Sequence, residues 1–186
     1  TMRSLVFDIE TDDLKATKVW CIVAQDLDSN KIFRFAPHQL ESGLGLLQSA
    51  DRLVGHNIIG FDIPIIENLL GVDLSTKKLV DTLVLSRLLN PVREGGHSLE
   101  MWGYRLNYTK TEFDDYARYS PEMLKYCTRD VQLNTMVYYK LQEEAKGFSK
   151  ESVELEQEVS LILKEQEQHG FEFNGQKAEK LLSELY

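Results

Sequence analysis

The sequence is short of several things, and each shortage excludes a class. Two cysteines in 186 residues cannot make a disulfide framework, and free thiols fit a reducing compartment. No apolar run approaches the ~18 residues of a membrane-spanning helix. The start, TMRSLVFDIE, enters an apolar stretch without the layout of a secretory signal, which predicts a cytoplasmic chain. There is no internal repeat, no low-complexity tract and no glycine-rich loop built to cradle phosphates. Apolar residues are not scarce: at 42% they can fill a core, which excludes wholesale disorder. The length suits one domain with a short appendage. Positive charge is scarce, with 21 Lys and Arg against 30 Asp and Glu and a net of -9. On its face that balance argues against a polyanionic partner.

The deficit is unevenly spread. Residues 141–186 hold eleven acidic and five basic side chains, a net of -6, which leaves -3 for residues 1–140. The acid-rich quarter reads as helix. Leu155, Val159, Ile162 and Leu163 follow the spacing of one helical face, and Gly170 is placed to end it. Asn174 is placed to cap a second helix, with Ala178, Leu181, Leu182 and Leu185 on one face. Such a stripe suits a docking surface; a solvated acidic helix pair closing one domain suits the same residues equally well.

The rest of the chain alternates between strand and helix signals. Residues 4–7, 19–24 and 31–35 read as three strands in meander, with a turn at Asp28-Ser29-Asn30. Helix is expected at 38–50, a strand at 52–55, helix at 61–70, a short strand at 79–80 and helices at 82–89 and 98–104. Ser120-Pro121 opens a helix that runs to about Ala145. Strands first, then helix-separated strands, predict an α/β fold with helices on the faces of a mixed sheet.

Asp8 and Glu10 sit at i and i+2 at the end of the first strand, so both leave the same face. Adjacent carboxylates repel and lose hydration, and a cation commonly neutralises such a pair. Exposure at a strand terminus would also explain this pair taken alone. Tyr126 and Asp130, four apart, share a helix face. Asp62 follows a strand and opens a helix in GHNIIGFD, where a loop residue can reach a shared site at the sheet edge; it could equally cap that helix through Ile65. Four carboxylates with no His or Cys among them favour Mg²⁺ or Mn²⁺ over Zn²⁺. Carboxylate sites with two metals ~4 Å apart serve in-line phosphoryl displacement.

FDIETDDL, HNIIGFD and YCTRD resemble the three motifs of the DEDDy 3′→5′ exonucleases. The resemblance implies a ribonuclease H-like fold, a mixed five-stranded sheet flanked by helices. DTLVLSRLLNP and GGHSLEMWGYRL also resemble the proofreading domain of family A DNA polymerases, most of all those of short-tailed phages. LILKEQEQHGFEFN is similar to the helix leading from that domain toward the polymerase thumb and palm. The resemblance therefore implies an exonuclease domain over 1–147 and a helical connection over 148–186. The polymerase would lie in the same chain or in a partner, since nothing here resembles fingers or palm. The location would be cytoplasmic, that of the host for a phage-encoded chain.

The implied activity is release of nucleoside 5′-monophosphates from single-stranded DNA 3′ ends, with two divalent ions, as proofreading during replication. Asp8 would bridge the ions. Glu10 and Asp130 would hold the one beside the attacking water, and Asp62 the other. Tyr126 would orient that water. Thr11, Leu14, Asn57 and Phe61 would bind substrate, Leu14 as a wedge against the terminal base. The motif II spacing fits the phage form and is one residue longer than in the bacterial repair polymerase. The span from Trp102 to Tyr126 is shorter than in the phage enzymes, which leaves the DNA path there open. Two other readings of the same residues are an RNA-trimming 3′→5′ exonuclease and a catalytically silent module that docks DNA ends or a polymerase.

The remaining chemistry-bearing residues read as structural. His56 and His97 suit turn hydrogen bonds, Asp81 a helix cap, Trp20 and Trp102 the core, and Cys127 a small buried position. Tyr104, Tyr108, Phe113, Tyr116 and Tyr119 interleave with Arg105, Lys110 and Arg118, a pattern that suits stacking and phosphate contact with a single strand. The charge then reads differently. Two divalent ions at the four carboxylates would turn the -3 of residues 1–140 into about +1, making strand binding metal-dependent.

Overall fold

A computed structural model describes residues 2–109 and 111–185. Chain order is β1 (Ser4–Thr11), β2 (Val19–Asp26), β3 (Ile32–Phe35), α1 (Leu40–Gln48), β4 (Arg52–Gly55), α2 (Asp62–Leu70), β5 (Lys78–Asp81), α3 (Thr82–Leu89), α4 (Leu99–Arg105), α5 (Pro121–Glu144), α6 (Lys150–His169) and α7 (Gly175–Leu185). The five strands form one mixed sheet in the order β3-β2-β1-β4-β5. β2 runs antiparallel to both neighbours, while β1, β4 and β5 are parallel. The expected elements are present; the first strand is longer than its apolar run, because Asp8 and Glu10 are paired into the ladder with Val23 and Cys21.

Alternation along β1 builds two cores. Leu5, Phe7 and Ile9 face the layer that holds Leu44, Leu47, Ile63 and Ile66 of α1 and α2. Val6 faces the other way, toward Met123, Cys127 and Val131 of α5. By the same alternation Asp8 and Glu10 belong to the α5 face. A third cluster of Leu85, Trp102, Leu133, Val137 and Leu141 packs α3 and α4 on α5. Start signals in the sequence act as expected: Ser98, Ser120 and Ser149 accept backbone N–H bonds at the starts of α4, α5 and α6, and Asn174 does so ahead of α7. Gly170 ends α6 at φ 66°, a left-handed value that glycine takes without strain.

One expectation needs correction. Asp62 does not cap α2: Phe61 stands at the cap position with no side-chain bond, and the Asp62 carboxylate instead accepts from the Ile9 N–H of β1 at 3.2 Å. The apolar stripe of α6 faces away from the body. Leu155, Ile162 and Leu163 are exposed, and the side that docks carries Val153, Gln157 and Leu161, with Gln157 buried. Two hydrogen bonds from one amide side chain to the sheet edge decide which side docks, a signal that hydrophobic periodicity does not register. Trp102 is core as expected; Trp20 is half-buried, and its indole N–H donates to the Tyr116 carbonyl at 2.9 Å. Among the described residues, no helix is long and apolar enough to cross a membrane.

Candidate nuclease site

Three parallel strands end at one edge of the sheet, and the cleft opens there, at the place where α/β sheets collect ligand-binding loops. β1 delivers Asp8, Glu10 and Thr11. The loop after β4 delivers Asn57, Phe61 and Asp62. α5, crossing the face of the sheet, delivers Tyr126 and Asp130 one helical turn apart. The turn after β1 adds Asp12, Asp13 and Leu14. All of them line one cleft of about 610 Å³, together with Ile9, His56 and Tyr116.

The loop between β4 and α2 is tightly folded. Gly55 leaves no room for a side chain: a Cβ there would stand 2.1 Å from the Ile58 side chain and 3.0 Å from the Phe7 carbonyl. Asn57 takes φ 64°, a left-handed conformation that asparagine tolerates better than most residues. Loop amides of Asn57 and Ile59 bond to the Asp81 carboxylate at 2.9 and 3.0 Å. Asp81 also caps α3 through the Leu83 N–H at 2.9 Å, the role its position suggested. His56 Nδ1 lies 2.9 Å from the Thr82 hydroxyl and His97 Nδ1 2.9 Å from the Ser86 hydroxyl, so both histidines are held in structural hydrogen bonds.

Electrostatically the cleft is under strain. Six carboxylates line it and, among the described residues, no lysine or arginine does. Glu10, Asp62 and Asp130 are buried. Burial first, and the Asp8 charge second, push the Asp62 carboxyl well above the usual carboxylate range. Asp12 behaves oppositely: the Thr17 hydroxyl and the Thr17 and Lys18 amides bond it, which holds its carboxyl down at about 2. Asp12 therefore organises the exposed turn that presents Leu14, itself 85% exposed.

Ligand atoms of Asp8, Glu10 and Cys127 lie within 4.8 Å of one another, the spacing of groups around one ion. Cys127 is buried beneath Asp8, its Sγ 3.6 Å from the Asp8 carbonyl and 3.7 Å from its carboxylate. Burial pushes its thiol well above the ordinary value, and it is not among the residues that line the cleft. The donors left are oxygens, which fit a hard cation such as Mg²⁺ or Mn²⁺. A cation would also relieve the Asp8–Asp62 repulsion.

The aromatic and basic stretch divides. Phe113 packs on Tyr126 at 5.5 Å and on Tyr116 at 5.1 Å, so it shapes the cleft wall. Arg105 is turned inward: it donates to the carbonyls of Glu94 and Gly96 and stands over Trp102. Arg118 pairs with Asp115 at 3.3 Å. Lys110 lies outside the described residues. Asp12, Asp13 and Tyr116 were not singled out as cleft residues beforehand; the second acidic pair of T-D-D, directly after D-x-E, was the available signal for the first two.

The five-stranded mixed sheet with its flanking helices is a ribonuclease H-like fold. Brucella melitensis NrnC with bound Mg²⁺ superposes with a TM-score of 0.62 at 17% identity, covering 86% of this chain and 85% of that one. No protein-family model matches the chain. Its sequence is similar to phage DNA polymerases: it is 27% identical over 245 aligned positions to the DNA-directed DNA polymerase of Enterobacteria phage T3, and 26% to that of Escherichia phage T7. Each alignment takes in 97% of this chain and 35% of the polymerase, so the chain spans about a third of the length of these relatives.

Proposed function

We propose that the chain is a metal-dependent 3′→5′ exonuclease that shortens DNA strands from their 3′ ends and proofreads beside a DNA polymerase, in cis or in trans. One observation carries the reading: Asp8, Glu10, Asp62 and Asp130, drawn from three separate parts of the chain, line one cleft with Tyr126, and Asp62 is strained first by its burial and then by the charge of Asp8. Similarity to the T3 and T7 polymerases supports the DNA substrate and the polymerase partner.

Asp8, Glu10, Asp62 and Asp130 would hold two divalent ions. Bound there, the ions would polarise the scissile phosphate and ease deprotonation of the attacking water. Tyr126, half-buried at the cleft wall and packed on Phe113, offers a phenol that orients the water without ligating metal. Exposed Leu14 and the Phe61 ring can flank the terminal base, while Thr11 and Asn57 offer polar contacts to the nucleotide. The Thr11 hydroxyl already donates to the Asp13 carbonyl at 2.9 Å, so its free capacity is as an acceptor.

The test is degradation of a 3′-labelled single strand with and without Mg²⁺ or Mn²⁺. Wild type should release mononucleotides only with the ion, and Asp8→Ala should abolish release. Equal rates in the two proteins would overturn the reading. Matched DNA and RNA oligomers then decide the sugar preference, since the 2′-hydroxyl is the difference between them.

A further inference from the structure

We propose that Asp81 is a positioning residue for the cleft, that it clamps the loop carrying Asn57, Phe61 and Asp62, and that Gln157 of the tail helix α6 completes the clamp. The effect on turnover rests on the exonuclease reading; the clamp itself does not.

Asp81 does more than cap a helix. The residue is 1% exposed, and its two carboxylate oxygens take three backbone amides, two from the loop after β4 and one from α3. Oδ1 accepts from the Asn57 and Leu83 amides, and Oδ2 from the Ile59 amide. A cap alone needs one of those bonds. The other two tie the end of β5 to the loop after β4, three residues before Asp62. A carboxylate buried this deeply is expensive to keep, and a helix cap at the surface could be had from serine at no such cost.

Gln157 holds the other side of the same residue. Its Oε1 accepts from the Asp81 N–H at 2.9 Å, and its Nε2 donates to the Asp81 carbonyl at 3.2 Å. The amide thus pairs with the open edge of β5 as another strand would. It is the buried residue of α6. Next to it, the Thr82 hydroxyl lies 2.8 Å from Asn134 Oδ1, 3.2 Å from the Gly55 carbonyl and 2.9 Å from His56 Nδ1. A hydroxyl has one proton, so it donates to one of the two oxygens and accepts from the imidazole. Asn134 stands one helical turn after Asp130. The network therefore spans β4, its loop, α3, α5 and α6, and it lies under both the Asp62 and the Asp130 sides of the cleft. Docking of α6 is in this way connected to the position of the proposed metal ligands, with the tail acting as part of the site's foundation.

Asp81→Ser separates the two roles, because serine keeps the α3 cap but is too short to hold both loop amides. Amide hydrogen exchange of Asn57 and Ile59 reads the clamp directly. In the full chain, Asp81→Ser should speed exchange at both by about tenfold or more, at a melting temperature close to wild type. Unchanged protection would overturn the clamp. Asp81→Asn is the milder variant should serine prevent folding: it retains Oδ1 and sets an NH₂ against the Ile59 N–H, so Ile59 alone should exchange faster. Gln157→Leu should speed the same amides by a smaller factor. In the strand-degradation assay, Asp81→Ser should lower kcat or raise half-saturating Mg²⁺ by about ten- to a hundredfold, the range for outer-shell partners of metal sites. Wild-type kcat, KM and Mg²⁺ dependence in that variant would overturn the coupling to the site. A wild-type chain with no Mg²⁺-dependent turnover would instead remove the exonuclease reading, and the exchange comparison would still decide the clamp.

Discussion

The cleft and the tail hold much of the acid excess, and they treat it in opposite ways. In the cleft, Glu10, Asp62 and Asp130 are buried, Asp8 is half-buried, and burial with mutual repulsion pushes Asp62 toward its protonated form. In α6 the glutamates stand in water with local partners. Lys164 bonds Glu167 at 2.8 Å and the Ser149 hydroxyl bonds Glu151 at 2.9 Å, and both carboxyls are held below the usual range. Charge that is solvated costs little and reveals little about function. Charge that is buried against its own sign costs several kcal/mol per ion unless something offsets it. The net of -9 is thus two different quantities added together.

The sharpest way to break this contrast is through the rate. On the proposed reading, Asp8→Ala removes a metal ligand and should lower strand hydrolysis about a thousandfold or more, a loss of several kcal/mol of transition-state stabilisation. Glu158→Ala in the tail should leave kcat within a factor of two or so. A tail substitution that matched Asp8→Ala would erase the distinction between the regions.

Packing offers the second comparison. Leu53 of β4 is fully buried, and Leu53→Ala should cost about 2–5 kcal/mol. Leu182 of α7 is 57% exposed, and Leu182→Ala should fall within about 0.5 kcal/mol. Chemical denaturation of the two variants measures both. A large loss at Leu182 would mean that the α7 face is covered in solution.

How much of this could be read from residues alone also differs between the regions. In the body, the meander of the first three strands followed from short apolar runs and turn residues, and the shared faces of Asp8 with Glu10 and of Tyr126 with Asp130 from periods of 2 and 3.6, while their gathering into one site was implied by the motif resemblance. Both periods are local, and the buried face of β1 repeats without interruption. Asp62 was singled out, but its contact was not. Its hydrogen bond to Ile9 spans 53 residues, and no local pattern encodes a pairing of that range. On α6 the period marks an exposed stripe and not the docked side, because docking there is decided by a polar side chain. Asp81 looked like a helix cap because a cap is the part of its role that local sequence can show.

Divalent ions provide the third test. With Mg²⁺ or Mn²⁺ at a hundred times its dissociation constant, wild type should gain about 2.7 kcal/mol, seen as a rise of several degrees in melting temperature. Asp62→Asn should lose most of that rise, and should melt no lower than wild type without the ion because one buried like charge is gone. A melting temperature indifferent to divalent ions would leave the repulsion in the cleft without an offset.

The smallest effect belongs to Asp26, a buried acid held by hydrogen bonds and a cation, which marks the baseline for the cleft. It closes the turn between β2 and β3 by accepting from the Ser29 and Asp28 amides at 3.0 Å, and it meets Arg3 Nε at 3.3 Å. The Ser29 amide foremost, then the Asp28 amide and Arg3, hold its carboxyl below the ordinary 3.8, against the opposing pull of burial. The sign follows. A carboxyl that is more acidic in the folded chain than in the unfolded one adds stability above about pH 3.8, and the gain is lost as pH falls below that value. Asp26→Asn should therefore cost about 1 kcal/mol at pH 7 and progressively less toward pH 3, so the two melting curves should converge in acid. Asp62 has the reverse sign, and an Asp62→Asn chain free of metal should diverge from wild type as pH rises. Parallel behaviour of the two variants across that range would show that burial beside a like charge does not distinguish the cleft from an ordinary turn.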